Sequence, residues 1–327
     1  MRTTTLGAGG PQVGVIGLGC MGMTHGYDIG GTRDDATSIA VVHAAIDGGV
    51  TLLDTADVYG PFTKEELVGR ALAGGYRERA VLATKVGLTV TDQHGGPGGS
   101  PAIAPDGRPE HVRAAIDESL RRLGTDYVDL YQLHRVDPAV PLEETWGALA
   151  EAVQAGKALR LGLSEVSVDQ IKTAQAVHPV ASVQSEFSLW TRDVIAEVLP
   201  YCTAQGIALL PYSPLGRGFL TGRFTSSDDL PERDFRRGLP RFQQEALRAN
   251  LEIVERVRQV GERIGATPGQ VALAWLVAKG PYVVPIPGTK TPKYLADNAG
   301  AADVTLSEAD LAELDGIGPA VGARYWT

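Results

Sequence analysis

Cysteine is nearly absent: Cys20 and Cys202 are the only two in 327 residues, too few for a disulfide framework or a cysteine metal site. The six histidines (His25, His43, His94, His111, His134, His178) are scattered, and none has the HExxH spacing of a metal-binding helix. No apolar run approaches the roughly 20 residues needed to span a bilayer. A basic excess is also missing; the net charge of -9 argues against a nucleic-acid partner, which would select a basic face. The opening MRTTTLGAGG has no apolar signal core, so a cytoplasmic protein is expected. What remains is 43% hydrophobic and 21% charged residues, the balance of a soluble globular chain long enough for one large barrel or two ordinary domains.

Read in order, the chain starts with TTTLGAGGPQVG, a Gly-Gly-Pro turn between short runs that predicts a hairpin closing one end of a barrel. VGVIGLGC follows as a buried strand. Asp34 or Asp35 caps a helix from about residue 36 to 47, stopped by Gly48 and Gly49. Strands are expected at TLLDT, AVLATK, YVDLYQLH, ALRLGLS, VASVQSE, IALLPYSP and YVVPIPG. Helices alternate with them near 65–72, 109–123, 141–155, 168–177, 192–205, 243–264 and 268–279, with two more near 292–300 and 307–316 closing the chain. In the 109–123 segment Val112, Ala115, Ile116, Leu120 and Leu123 recur at helical spacing. About eight strand–helix alternations without a linker predict a parallel (β/α)8 TIM barrel, α/β in class, as a single domain over residues 1–327. Two long loops, 87–108 and 213–242, follow strands and belong over the C-terminal face, where such barrels place active sites.

One motif points elsewhere. Gly17-x-Gly19-x-x-Gly22 matches the dinucleotide fingerprint of a Rossmann domain. That fold requires a helix to open on these glycines, and the glycine-rich MGMTHGYDIGGTRDD that follows does not suit one. GGPGGSP lacks the Gly-Lys-Ser/Thr of a phosphate loop and reads as a flexible lid.

The chemistry gathers where apolar runs turn polar. LLDTADVYG delivers Asp54 and Tyr59, AVLATK delivers Lys85, and VDLYQLH delivers His134, each at or just beyond the end of a strand. A phenol titrates near pH 10, so a proton donor of this type needs a neighbour that stabilises its anion. Lys85 is such a neighbour, and Asp54 can hold Lys85 through an ion pair at the barrel mouth. His134 can orient a carbonyl oxygen beside Tyr59. This set suits protonation of an oxygen while a hydride reaches carbon. Taken singly, the four residues have ordinary readings: a packed aromatic, a helix cap, a surface charge and a rim histidine.

In the same order and spacing, LLDTADVYG, ATKVG, LYQLH, LGLSE, SVQSEFS, PYSPLGRGFLTG and PIPGTK resemble the aldo-keto reductase superfamily, over nearly the whole chain. The chain looks most like the bacterial and plant reductases with GLGCMGM near the start and a short C-terminal tail. The resemblance implies a barrel that binds NADPH, with NADH less favoured, and a catalytic tetrad of Asp54, Tyr59, Lys85 and His134 in which Tyr59 is the proton donor. It also implies that Gly19, Cys20 and Met21 line the nicotinamide, that Ser164, Glu165 and Gln184 meet its carboxamide, and that Tyr212 stacks on its ring. Ser213, Leu215, Gly216 and Arg217 then lie along the pyrophosphate. Gly288, Thr289 and Lys290 hold the 2′-phosphate, and Asp297 and Asn298 lie near adenine.

Two positions depart from the pattern. Glu165 stands where many relatives carry Asn, and Tyr294 stands where an Arg usually precedes the Asn of the last motif. A tyrosine can stack on adenine but cannot pair with a phosphate, which leaves Lys290 and Lys293 as point charges. The implied reaction is reduction of a small aldehyde or ketone. Beside it stand oxidation of a sugar or secondary alcohol and a cofactor-binding redox-sensing subunit. Substrate selection is expected in loops 23–33, 87–108 and 213–242. Trp190 and the tail residues Arg324, Tyr325 and Trp326 are possible pocket walls.

Overall fold

The computed structural model describes residues 1–23, 27, 34–92 and 102–325. Most of loop 23–33, the GGPGGSP stretch and Trp326 lie outside the described residues.

The chain begins with an antiparallel hairpin, β1 (Thr3–Thr5) paired with β2 (Gln12–Gly14). Next come β3 (Leu18–Gly19), α1 (Asp35–Asp47), β4 (Leu52–Asp54), α2 (Thr63–Leu72) and β5 (Val81–Val86). A second hairpin follows, β6 (Leu88–Asp92) and β7 (Ala102–Pro105). The alternation resumes with α3 (Pro109–Leu123), β8 (Leu130–Leu133), α4 (Leu142–Gln154), β9 (Leu161–Ser164), α5 (Val168–Gln175), β10 (Ser182–Glu186), α6 (Val198–Gln205) and β11 (Ala208–Tyr212). Then α7 (Gln244–Ile264), α8 (Pro268–Val277), α9 (Pro292–Gly300) and α10 (Glu308–Asp315) complete the chain.

Among the described residues, seven strands form one parallel sheet in the order β11-β10-β9-β8-β5-β4-β3. Segment 282–288 joins its two edges. Val284 and Ile286 donate to Leu209 O and Pro211 O on one side, and Gly17 and Gly19 donate to Pro285 O and Pro287 O on the other. Prolines at 285 and 287 remove the return donors, so the closing strand pairs only in part. The architecture is the (β/α)8 barrel with an N-terminal hairpin.

The first two glycines of the misleading motif, Gly17 and Gly19, therefore serve closure. A Cβ on Gly19 would stand 2.8 Å from the carbonyl oxygen of Ile286, and a single 3₁₀ turn, Met21–Met23, follows them in place of a Rossmann helix.

The core divides into two layers. Leu52, Val81, Leu130 and Ala208, at the N-terminal ends of their strands, pack inside the barrel with Leu6 and Val13, so the hairpin plugs that end. Outside, α3 turns Val112, Ala115, Ile116 and Leu123 into the larger cluster shared by strands and helices. Strands buried on both faces explain the near-continuous apolar runs of the sequence.

Three local readings change. VGVIGLGC is not one strand: Val13 and Gly14 end β2 of the hairpin, and regular strand resumes only at Leu18–Gly19. The region expected as plain loop, 87–108, contains the β6–β7 hairpin, in which Leu88 and Val90 pack against Ala56, Val58 and Tyr59. The expected helix 192–205 begins at Val198, after a 3₁₀ turn at Asp193–Ile195, because Pro200 is tolerated only in a first turn.

Candidate active site

The C-terminal ends of β4, β5 and β8 bring Asp54, Lys85 and His134 together, and the loop after β4 folds Tyr59 over them. The Lys85 ammonium is fully buried. It donates to Asp54 Oδ1 at 2.6 Å, to Thr55 O at 2.8 Å and to the Tyr59 hydroxyl at 3.2 Å. The other Asp54 oxygen accepts from Gln184 Nε2 at 2.8 Å and Gln132 Nε2 at 3.1 Å. The His134 ring meets the edge of Tyr59 with centroids 5.6 Å apart, and its Nδ1 is buried without a partner among the described residues.

Burial alone would pull the Lys85 pKa down. Asp54 and Tyr59 outweigh it, and the pKa lies above the ordinary lysine value. Burial pushes the Tyr59 phenol up, and Lys85 opposes this without cancelling it. Lys85 lowers the phenol's pKa as expected, but the net shift is upward, because burial desolvates the phenolate more than one ammonium repays. Burial, then Lys85 and Arg135, hold His134 well below the usual imidazole value, so its ring is neutral near pH 7.

Around this centre lie the residues expected to meet a nicotinamide. Cys20 donates its N–H to Asp54 O, which fixes Gly19, Cys20 and Met21 beside the tetrad. Ser164, at the end of β9, accepts from Arg135 Nη1 at 3.1 Å. Glu165 takes a left-handed φ of 54°, and one of its oxygens accepts the Glu186 N–H at 2.8 Å. Gln184, on β10, is buried with its amide nitrogen on Asp54. Tyr212 ends β11, and its hydroxyl accepts from Arg324 Nη2 at 3.0 Å.

The turn after β11 is strained, with positive φ at Ser213, Gly216, Arg217 and Gly218. Any side chain at Gly216 would enter the ring of Trp190. Trp190 is itself packed on Phe219, with ring centroids 4.1 Å apart, and on Phe242 at 5.4 Å, so it is core more than wall.

At the far end, Gly288 bridges to Gly19, Thr289 is buried, and Lys290 is half-buried without a carboxylate partner among the described residues. Asp297 is bonded to Thr267 Oγ1 at 2.9 Å, and Asn298 is buried on the same helix.

Sequence reasoning missed three residues. Gln132 braces Asp54, and its one signal is a polar residue inside the apolar run LYQL. Glu186 is buried at the end of β10 and collects Arg217 at 3.4 Å and Arg324 at 3.0 Å. The Arg223 guanidinium stands 4.9 Å over the ring of Tyr294, a pairing that no local pattern announces.

The strained turn beside Arg217 and the cations Lys290 and Arg223, without carboxylate partners among the described residues, fit an anionic ligand.

Residues 15–319 match the model of the aldo/keto reductase family. A soybean (Glycine max) protein described as probable aldo-keto reductase 1 is 44% identical over 329 aligned positions, covering 100% of this chain and 92% of the relative. Among solved structures, a glycerol dehydrogenase of Gluconobacter oxydans superposes with a TM-score of 0.84 at 29% identity, covering 96% of this chain and 94% of that one. An aldo/keto reductase of Klebsiella pneumoniae in complex with NADP and acetate superposes with a TM-score of 0.73 at 28% identity, covering 99% of each chain.

Proposed function

The chain belongs to the aldo/keto reductase family, and from that premise we propose that it reduces an aldehyde or ketone to the alcohol with NADPH, Tyr59 acting as general acid. The observation that carries this reading is the buried chain Asp54–Lys85–Tyr59, at 2.6 and 3.2 Å, with a neutral His134 against the phenol.

Held above its ordinary pKa, Tyr59 stays protonated at neutral pH and has a proton to give. As it gives that proton to the carbonyl oxygen, the Lys85 ammonium at 3.2 Å stabilises the phenolate left behind, and solvent later restores the proton. Asp54 keeps Lys85 charged and aimed. The neutral His134 ring offers a hydrogen bond to the same carbonyl oxygen without adding a second titrating acid. Bound across these strand ends, the reduced nicotinamide supplies the hydride.

In this reading Gly19, Cys20, Met21, Ser164, Glu165, Gln184 and Tyr212 receive the nicotinamide, with Gln184 acting through its oxygen because its nitrogen serves Asp54. Ser213, Leu215, Gly216 and Arg217 take the pyrophosphate. Gly288, Thr289 and Lys290, joined by Lys293, take the 2′-phosphate, with Asp297 and Asn298 near adenine. Arg223, stacked on Tyr294, offers the fork-shaped cation that position 294 lacks. The NADP complex of the Klebsiella relative favours NADPH over NADH.

The test follows nicotinamide absorbance with an activated aromatic aldehyde and either cofactor. NADPH should be consumed much faster than NADH, and no turnover with either would remove the reductase reading. A second reading, oxidation of an alcohol, is favoured by the likeness to the Gluconobacter glycerol dehydrogenase. Rates measured from both sides of the equilibrium separate the two.

A further inference from the structure

We infer that Arg324, on the C-terminal tail, sets the balance between oxidised and reduced nicotinamide at this site by cancelling, together with Arg217, the charge of Glu165 and Glu186. The inference rests on the nicotinamide reading given above and deepens it.

Glu165 directly follows β9 and Glu186 ends the adjacent strand β10, around the position assigned to the nicotinamide ring. Arg324 Nη2 lies 3.0 Å from an oxygen of each and 3.0 Å from the Tyr212 hydroxyl. Arg324 Nε adds a bond to Glu186 at 3.1 Å. Arg217 pairs with the same Glu186 oxygen at 3.4 Å. The two carboxylates and the two guanidiniums paired with them thus sum to zero, and Arg241, close enough to act on Glu186, Arg217 and Arg324, keeps its charge whatever stands at position 324.

The tail is fixed in place to do this. The Asn250 amide exchanges hydrogen bonds with both backbone groups of Val321 at 2.8 and 3.0 Å, and Arg241 donates to Gly322 O at 3.0 Å. The Glu186 side chain is 6% exposed and that of Arg324 23%, so water screens the cluster weakly.

Oxidised and reduced cofactor differ at the ring by one positive charge and are otherwise nearly the same molecule. A net negative cluster beside Tyr212 would therefore favour the oxidised form and hold it back from release. With Arg324 present the cluster is neutral, and the site gives the oxidised ring no such advantage. A unit charge several ångströms from the ring in a partly buried site is worth about tenfold in relative affinity. Arg135, bonded to Ser164 nearby, remains in every variant below, so the change reported is that of Arg324.

The test measures dissociation constants for NADP+ and NADPH by quenching of protein fluorescence in four proteins: native, Arg324→Met, Arg324→Lys, and the double variant Arg324→Met with Glu165→Gln. Arg324→Met should shift the ratio of the two constants about tenfold toward NADP+. Arg324→Lys should keep it near native, and the double variant should return it. A ratio unmoved in Arg324→Met, or both constants weakened by one common factor, overturns the inference and leaves the nicotinamide reading standing. A native protein that binds neither cofactor overturns both.

Discussion

At the Asp54 end of the cleft the polar groups are buried and held by several bonds each: Lys85 Nζ has three acceptors, and Asp54 accepts from Lys85, Gln132 and Gln184. At the Lys290–Tyr294 end, Lys290 is half-buried, Arg223 and Lys293 are exposed, and none has a carboxylate partner among the described residues. The first region is built on strand ends that the closed barrel fixes, the second on loops and the start of α9. Chemistry that depends on sub-ångström placement sits on the rigid frame. On the reading proposed above, discrimination between cofactors sits where a single side chain can change without disturbing the core.

If that contrast is right, substitutions at the first end act on rate and fold, and those at the second act on affinity alone. The largest effect is expected from Lys85→Met, which keeps the volume and removes the ammonium. Carbonyl reduction should fall by about a thousandfold or more while cofactor binding persists, as steady-state rates and fluorescence titration would report. Loss of binding in step with rate would erase the distinction between the two ends.

Next in size is Asp54→Leu, which leaves the Lys85 charge buried and unpaired. Denaturant melts should show a loss of about 3–5 kcal/mol. A loss below about 1 kcal/mol would mean that Lys85 simply becomes neutral.

At the other end, Lys290→Ala should weaken NADPH about tenfold and leave NADH unchanged, with Arg223→Ala acting in the same direction and less strongly. Equal losses for the two cofactors would remove the 2′-phosphate assignment.

The smallest effect concerns a buried neighbour of the tetrad. Burial, then Glu65, raises the Asp57 carboxyl from 3.8 to about 8. Its folded pKa lies above the unfolded one, so its contribution to stability is full below about pH 4 and is lost as pH rises through about 8. Asp57→Asn should therefore raise the melting temperature by several degrees more at pH 9 than at pH 5. An equal change at both pH values would show that the carboxyl is ionised throughout.

The sequence made the rigid end legible and the other end much less so, for a physical reason. A strand buried on both faces is written as a short apolar run, and the polar residue that breaks it marks the barrel mouth; Asp54, Lys85 and His134 were visible in that way. The β6–β7 hairpin was hidden because the glycines after Asp92 interrupt its alternation, although Leu88 and Val90 are paired strand residues. Gln132 is a single polar residue inside an apolar strand, and its role shows only where the barrel brings it to Asp54 beside Lys85 and Gln184. Arg223 on Tyr294, and Arg324 across Glu165 and Glu186, join residues that no periodicity connects, since these contacts form only when the barrel closes and the tail returns across its mouth. Gly17 and Gly19 matched a familiar motif for a different cause, the close approach of the eighth strand.

The central claim is that Tyr59, held by Lys85, gives the proton in carbonyl reduction. Its most direct test compares single-turnover reduction of an activated aromatic aldehyde by NADPH in the native protein and in Tyr59→Phe, with cofactor affinity measured alongside. The account predicts unchanged NADPH binding and a rate lower by about a thousandfold or more in the variant. A variant that binds NADPH and reduces the aldehyde at the native rate would contradict it.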